Sequence, residues 1–219
     1  MFASSERFYL GHFGPVPVYV AVDAIFLVFV VVYKYQALTI PHIVTALIVF
    51  ILAILLHELG HAVAALAQRM HSVSVTIGFL GGYCTYAGDR RPWQQVIISL
   101  AGPLTNFALA AIAWQVATHV TIDNPIFHFF LAETFFWNLV LGIFNLLPIY
   151  PFDGGQATLG AVYGITRRDR FAKSTTLGIT VVTAIVVLVG LTWLNGGTPP
   201  LITLPIILFA VFIAFRDLR

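Results

Sequence analysis

Charge is scarce in this chain of 219 residues: Lys, Arg, Asp and Glu together make up 9% of it, against roughly a quarter in soluble domains. With 59% apolar residues, so few charges could not keep a large core in solution, and a soluble globular class is excluded. No basic run interleaved with aromatics occurs, and at a formal charge of +2 no nucleic-acid partner is expected. Cysteine is nearly absent. The single Cys84 rules out a disulfide within the chain and a thiolate cluster for a metal, and reads as a small buried or interfacial residue. Linkers, repeats and low-complexity stretches are also missing. The first fifteen residues are mixed, with Ser4, Ser5, Glu6, Arg7 and His12, and the apolar block behind them carries Asp23. A cleaved signal is therefore not expected.

What is present is apolar sequence in blocks near the length that crosses ~30 Å of hydrocarbon. Six are read, at about 15–33, 40–68, 93–118, 125–148, 171–194 and 198–215, the last short and carrying Pro205. They predict an all-α membrane protein of about six transmembrane helices. It forms a single polytopic domain over 1–219 with a catalytic core at about 40–160. The basic residues test this division. With six spans, Arg7, Arg69, Arg90, Arg91, Arg167, Arg168, Arg170, Lys173, Arg216 and Arg219 share one side, and Lys34 alone lies on the other. That asymmetry puts the rich side, and both termini, in the cytoplasm. The expected location is the plasma membrane of a prokaryote.

Two segments break the helical pattern. Residues 72–79 (SVSVTIGF) alternate small polar with apolar side chains, the period of a strand. Gly81-Gly82 offers a turn, and Tyr83 to Tyr86 a returning strand. This predicts a small membrane-associated β-hairpin near the cytoplasmic side, its backbone satisfied by protein or by a water-filled cavity. The second segment, Leu147 to Gly155, holds Pro148 and Pro151, which cannot continue a helix.

The second span contains His57-Glu58-Leu59-Gly60-His61. On a helix, histidines four apart project from one face, and neutral imidazoles suit zinc. Glu58 lies ~100° around from His57, placed to take a proton from water without being a ligand. Three ionisable groups inside a bilayer each cost a few kcal/mol by insertion scales, so chance polarity or a merely structural metal site is the weaker reading. By helical rise the pair lies ~10 Å below the cytoplasmic face. Glu133, His42, His119 and His128 fall at outer ends, and His12 and His71 at the cytoplasmic edge. Asp153 follows the fourth span on a broken segment able to turn back, and best meets the requirement for a third ligand. Its competing role is a helix cap near Gly154. Asp23, at similar depth in the first span, either pairs with a neighbouring helix or belongs to a water-filled path.

These motifs resemble the site-2 protease family of intramembrane zinc metalloproteases. His57 to His61 stands where that family has its zinc helix. Asn145-Leu146-Leu147-Pro148 with Phe152-Asp153-Gly154-Gly155 is similar to its second motif, and Ala101-Gly102-Pro103-Leu104-Thr105-Asn106 to its small-residue motif. The likeness spans about residues 50–160. It implies one zinc per chain held by His57, His61 and Asp153, water activation by Glu58, and Asn145 on the substrate backbone or developing oxyanion. Asn106 is equally read as an interhelical hydrogen bond beside a close contact at Gly102. The PDZ and CBS domains of many members are not expected here.

The implied activity is hydrolysis of peptide bonds in membrane-spanning segments of other proteins. An inactive chaperone or adaptor would not need Glu58 with a full ligand set, and a metal transporter would need a second cluster along its path. Substrate must be cut extended, since a helix ties up its carbonyls. The hairpin at 72–86 is expected to receive it as an added strand, through an outward amide of Val75 or Ile77.

Overall fold

The computed structural model describes residues 6–78, 81–89, 91–198 and 203–219. The chain falls into two compact units, Met1–Asp89 with Ala101–Ile143, and Arg90–Leu100 with Phe144–Arg219. The first contains strands β1 (Arg7–Phe13) and β2 (Val16–Ala21), a 3-10 turn (Val22–Ala24), helices α1 (Ile25–Tyr35) and α2 (Ile40–Ala67), and strands β3 (His71–Gly78) and β4 (Gly81–Ala87). To it also belong most of α3 (Pro92–His119) and α4 (Pro125–Leu146). Among the described residues, four helices are long and apolar enough to cross a membrane: α2, α3, α4 and α6 (Asp169–Leu194).

The expected first span at 15–33 is not one helix. Its first third is β2, which pairs antiparallel with β1 through a turn at Gly14, where φ is +56°, a value glycine adopts without strain. A short apolar run such as Val16 to Ala21 does not distinguish strand from helix by periodicity, and here pairing decides. Val18, Tyr19 and Val20 lie in parallel register with Val75, Thr76 and Ile77 of β3. The turn that follows puts Asp23 at the end of the sheet rather than inside a span. A Cβ added at Gly78 would come within 3.2 Å of its Oδ1.

The hairpin forms as β3 and β4, with Val75 opposite Cys84 and Ile77 opposite Gly82. Gly81 and Gly82, expected to turn, belong to β4, and residues 79–80 lie outside the described residues. The sheet order is β1-β2-β3-β4. β3 is thus flanked on both sides, and neither Val75 nor Ile77 offers an amide to an incoming strand. Among the described residues, the free edge beside β3 is that of β4.

From the sheet, α1 leads away to a four-residue turn (36–39) that reverses the chain into α2. Leu27, Val31 and Tyr35 of α1 form one buried cluster with Ala46, Phe50 and Ile54 of α2 and Ile77 of β3. Thr39, extended, precedes α2, and Pro41 sits in its first turn, where the missing N–H has no helical partner to lose.

In the second unit, α5 (Asp153–Thr166), α6 and α7 (Thr203–Leu218) follow the proline-broken segment. α5, rich in small residues and outside the six apolar blocks, is the short helix expected to start near Gly154, and it begins at Asp153. Ile149 is fully buried in a cluster with Ala184, Ile207 and Ala210, and the Tyr150 N–H donates to Thr180 Oγ1 at 3.0 Å. A Cβ at Gly154 would collide with the carbonyls of Leu146 and Leu147, so Gly154 lets the segment fold back onto the helix that it starts. These contacts fix where Asp153, the first residue of α5, leaves the loop.

Candidate metal centre

Three turns from its C-terminal end, α2 presents His57, Glu58 and His61, all buried. The imidazoles converge. His57 Nε2 and His61 Nε2 are 3.1 Å apart, with ring centroids at 4.7 Å and planes at 83°. Two imidazole nitrogens can approach like this only with a proton or a cation between them, because their lone pairs otherwise face each other. Neutral nitrogen donors at one buried point suit zinc.

The space in front of the nitrogens is kept open by α3. A Cβ at Gly102 would lie 2.7 Å from His57 Nε2 and closer still to His61 Nε2. On the other helix, a Cβ at Gly60 would come within 2.9 Å of the Ala101 carbonyl and collide with Thr105 Oγ1. Glycine on each helix permits the close approach, and the hollow left at Gly102 is one that a single methyl group would fill. The fit to a small cation is therefore set by shape as well as by donor type.

Behind the ring, His57 Nδ1 meets Asn106 Oδ1 at 2.5 Å. Asn106 is fully buried, and its amide nitrogen donates to Asn138 Oδ1 at 2.8 Å and to the Ala53 carbonyl at 3.3 Å. Asn138 donates in turn to the Thr134 carbonyl at 2.8 Å. The sequence reading had no role for Asn138. Its signal was only an amide within an apolar span, which in a bilayer needs a partner.

Over Glu58 lies β4. A Cβ at Gly82 would be 2.5 Å from Glu58 Cγ, so the bare backbone of the strand rests on the carboxylate side chain. The thiol of Cys84, on the same strand, is pushed up to about 12, chiefly by burial and then by the negative charge of Glu58. The upward shift favours the protonated thiol at neutral pH, and the thiolate is the reactive form.

The remaining histidines stand elsewhere. His42 bonds Thr39 Oγ1 through Nδ1 at 2.7 Å beside the start of α2, and His119 Nδ1 reaches the Gln115 carbonyl at 3.0 Å in the last turn of α3. His12 contacts Tyr9 in the β1–β2 hairpin. Glu133 accepts from the Tyr35 hydroxyl, to which the Trp137 indole N–H also donates at 3.2 Å. The first unit thus brings His57, Glu58 and His61 together. Asn145, in the last turn of α4, and Asp153, at the start of α5, belong to the second unit.

These features define a helix-borne two-histidine centre with an adjacent carboxylate, on an apolar helix long enough to cross a membrane. The chain belongs to peptidase family M50, whose sequence profile matches residues 45–122 and 119–189. It is similar to sll0528 of Synechocystis sp. (33% identical over 57% of this chain and 32% of that protein). It is also similar to stage IV sporulation protein FB of Bacillus subtilis (34% over 51% and 38%) and to the zinc metalloprotease MJ0392 of Methanocaldococcus jannaschii (28% over 58% and 38%). The chain spans about a third of the length of these curated relatives. Among solved structures, its fold matches that of the site-2 protease from Methanocaldococcus jannaschii, with a TM-score of 0.63, 22% identity, and coverage of 97% of this chain and 95% of that one. It is an integral membrane protein.

Proposed function

We propose that this protein is an intramembrane zinc metalloprotease that hydrolyses peptide bonds in the membrane-spanning segments of other proteins. The observation that carries the reading is the convergence of the two Nε2 atoms at 3.1 Å with buried Glu58 beside them. His57, His61 and Asp153 hold one zinc ion. Support for Asp153 comes from the donor type, from its order in the chain behind Asn145, and from the loop contacts that fix the start of α5. When bound, zinc supplies Lewis acidity towards a carbonyl and a water. Glu58 accepts the proton of the attacking water and passes it to the leaving amine. Asn145 donates to the substrate backbone or to the developing oxyanion. The buried walls of the site exclude bulk water and strengthen each of these interactions.

Purified chain in detergent should cleave a designed single-span substrate and stop when a chelator removes zinc. In the same preparations Asp153→Ala should lower zinc occupancy strongly, while Glu133→Ala, whose carboxylate is engaged with Tyr35, should leave it near the wild-type level. The reverse ranking would remove Asp153 from the ligand set.

Substrate is held extended, as a strand added to the free edge of β4. Gly82 already lies against Glu58, so a segment paired to that edge runs close to the proton acceptor, and its unwound amides find partners they would otherwise lack in lipid. Successive amides of a strand face opposite ways, so one of Cys84 and Thr85 points to the open edge. Proline at that position should cut cleavage roughly 10-fold, the scale of one backbone hydrogen bond, with zinc content unchanged. Full cleavage by both Cys84→Pro and Thr85→Pro would eliminate this edge.

The chain crosses the membrane about six times, α1 and α7 supplementing the four long helices. The parallel pairing of β2 with β3 supports this for α1, which must connect the sheet that follows α2 to the opposite end of α2. Both termini are then cytoplasmic, in the plasma membrane of a prokaryote. Reporter fusions at residue 90, at residue 169 and at the C-terminus should read cytoplasmic, and those at 37, 122 and 197 external. A cytoplasmic reading at 122 would refute the arrangement.

A further inference from the structure

We infer that Asn138 is a positioning residue for the metal centre, acting through Asn106 to fix which nitrogen of His57 carries the proton. The inference rests on His57 being a metal ligand, as proposed above, and adds what holds it in the ligating form. The polarity of the network follows from its far end. The Thr134 carbonyl can only accept, so the Asn138 group facing it at 2.8 Å is the amide N–H. That leaves Asn138 Oδ1 as the acceptor towards Asn106. Asn106 must therefore present its own NH2 there, and the Ala53 carbonyl at 3.3 Å demands the same orientation. Only Oδ1 of Asn106 remains for His57, at 2.5 Å. An oxygen without a proton requires a donor, so His57 Nδ1 is the N–H and Nε2 carries the free lone pair.

Reversing Asn106 would set its oxygen against Asn138 Oδ1 and the Ala53 carbonyl. It would also force His57 into the tautomer with hydrogen on Nε2, the form unable to bind a metal at that atom. Two backbone carbonyls, one on α2 and one on α4, thus dictate the state of a ring on α2. Both amides are almost wholly buried, with Asn106 at 0% and Asn138 at 2% exposure, so no water competes for these bonds. Outer partners of a ligating histidine fix its tautomer and orientation, and losing one typically lowers metal affinity 10–100-fold.

The experiment measures zinc affinity of the full-length chain in detergent by competition with a chromogenic chelator. Asn138→Ala should weaken zinc binding by about 10-fold. Asn138→Ser, whose hydroxyl can both donate to Thr134 and accept from Asn106, should recover most of that loss. Asn106→Ala should weaken binding at least as much as Asn138→Ala, and the double variant should bind as Asn106→Ala does, because Asn138 acts only through Asn106. If Asn138→Ala cannot be purified, Asn138→Leu, with the same branched arrangement of four side-chain heavy atoms and a good helix former, carries the same expectation. Zinc affinity within twofold of wild type in the Ala or Leu variant, or losses that multiply in the double variant, would overturn the role of Asn138. Wild-type affinity in His57→Ala would instead overturn the ligand assignment beneath it.

Discussion

Gly102→Ala is expected to empty the metal centre and abolish cleavage together. The added methyl would occupy the hollow faced by both Nε2 atoms, 2.7 Å from that of His57 and nearer to that of His61, where the backbones of two packed helices leave no room to retreat. Relief would need a rotation of both imidazoles away from their shared point or a separation of α2 from α3. Either removes the convergence that makes two histidines a chelate. Gly142→Ala provides the control. Its Cβ would meet Phe107 at 2.8 Å, a side chain that can shift, so it should lower thermal stability and leave zinc content near one per chain. Metal analysis and a melting curve on the same samples separate the two. Retained zinc in Gly102→Ala would show that the ion does not lie where the histidines point.

Glu58→Gln should have the opposite signature, with zinc kept and cleavage lost. The amide is nearly isosteric with the carboxylate, so packing beneath Gly82 persists, and His57 and His61 keep their geometry. What disappears is the ability to accept a proton from water, a contribution of roughly 100- to 10,000-fold in comparable general-base roles. The measurement is turnover of a single-span substrate by washed protein, alongside zinc content. Cleavage within a few-fold of wild type would refute Glu58 as the proton acceptor, whatever the metal does.

The convergence of His57 and His61 was legible in the sequence because its essential spacing is local. Four residues of helix suffice to aim two imidazoles together, and the small-residue motif that opens the hollow is itself contiguous. The β3–β4 hairpin was legible for the same reason, its alternation being confined to one stretch. What failed depended on distant partners. Val16 to Ala21 is apolar in either conformation, and it is a strand because Val18 finds Val75. Asp23 was assigned to a span only because that strand went unseen. The hairpin was expected to offer β3 to a substrate, which β2 already occupies. Asn138 offered only an amide within an apolar span, because its meaning lies in Asn106 on another helix.

The register of β2 against β3 also dictates an order of biogenesis. β1 and β2 leave the ribosome before α2 does, yet β2 has no second neighbour until α2 has entered the bilayer and the chain has come back to deliver β3. Until then the early hairpin lacks its sheet partner, with Phe8, Leu10 and Phe13 uncovered, as they still are in the finished fold. Closure of the sheet is therefore a late event. It follows insertion of the helix that carries the histidines, and the strand lying over Glu58 joins a four-stranded sheet only after the buried centre beneath it is in the membrane.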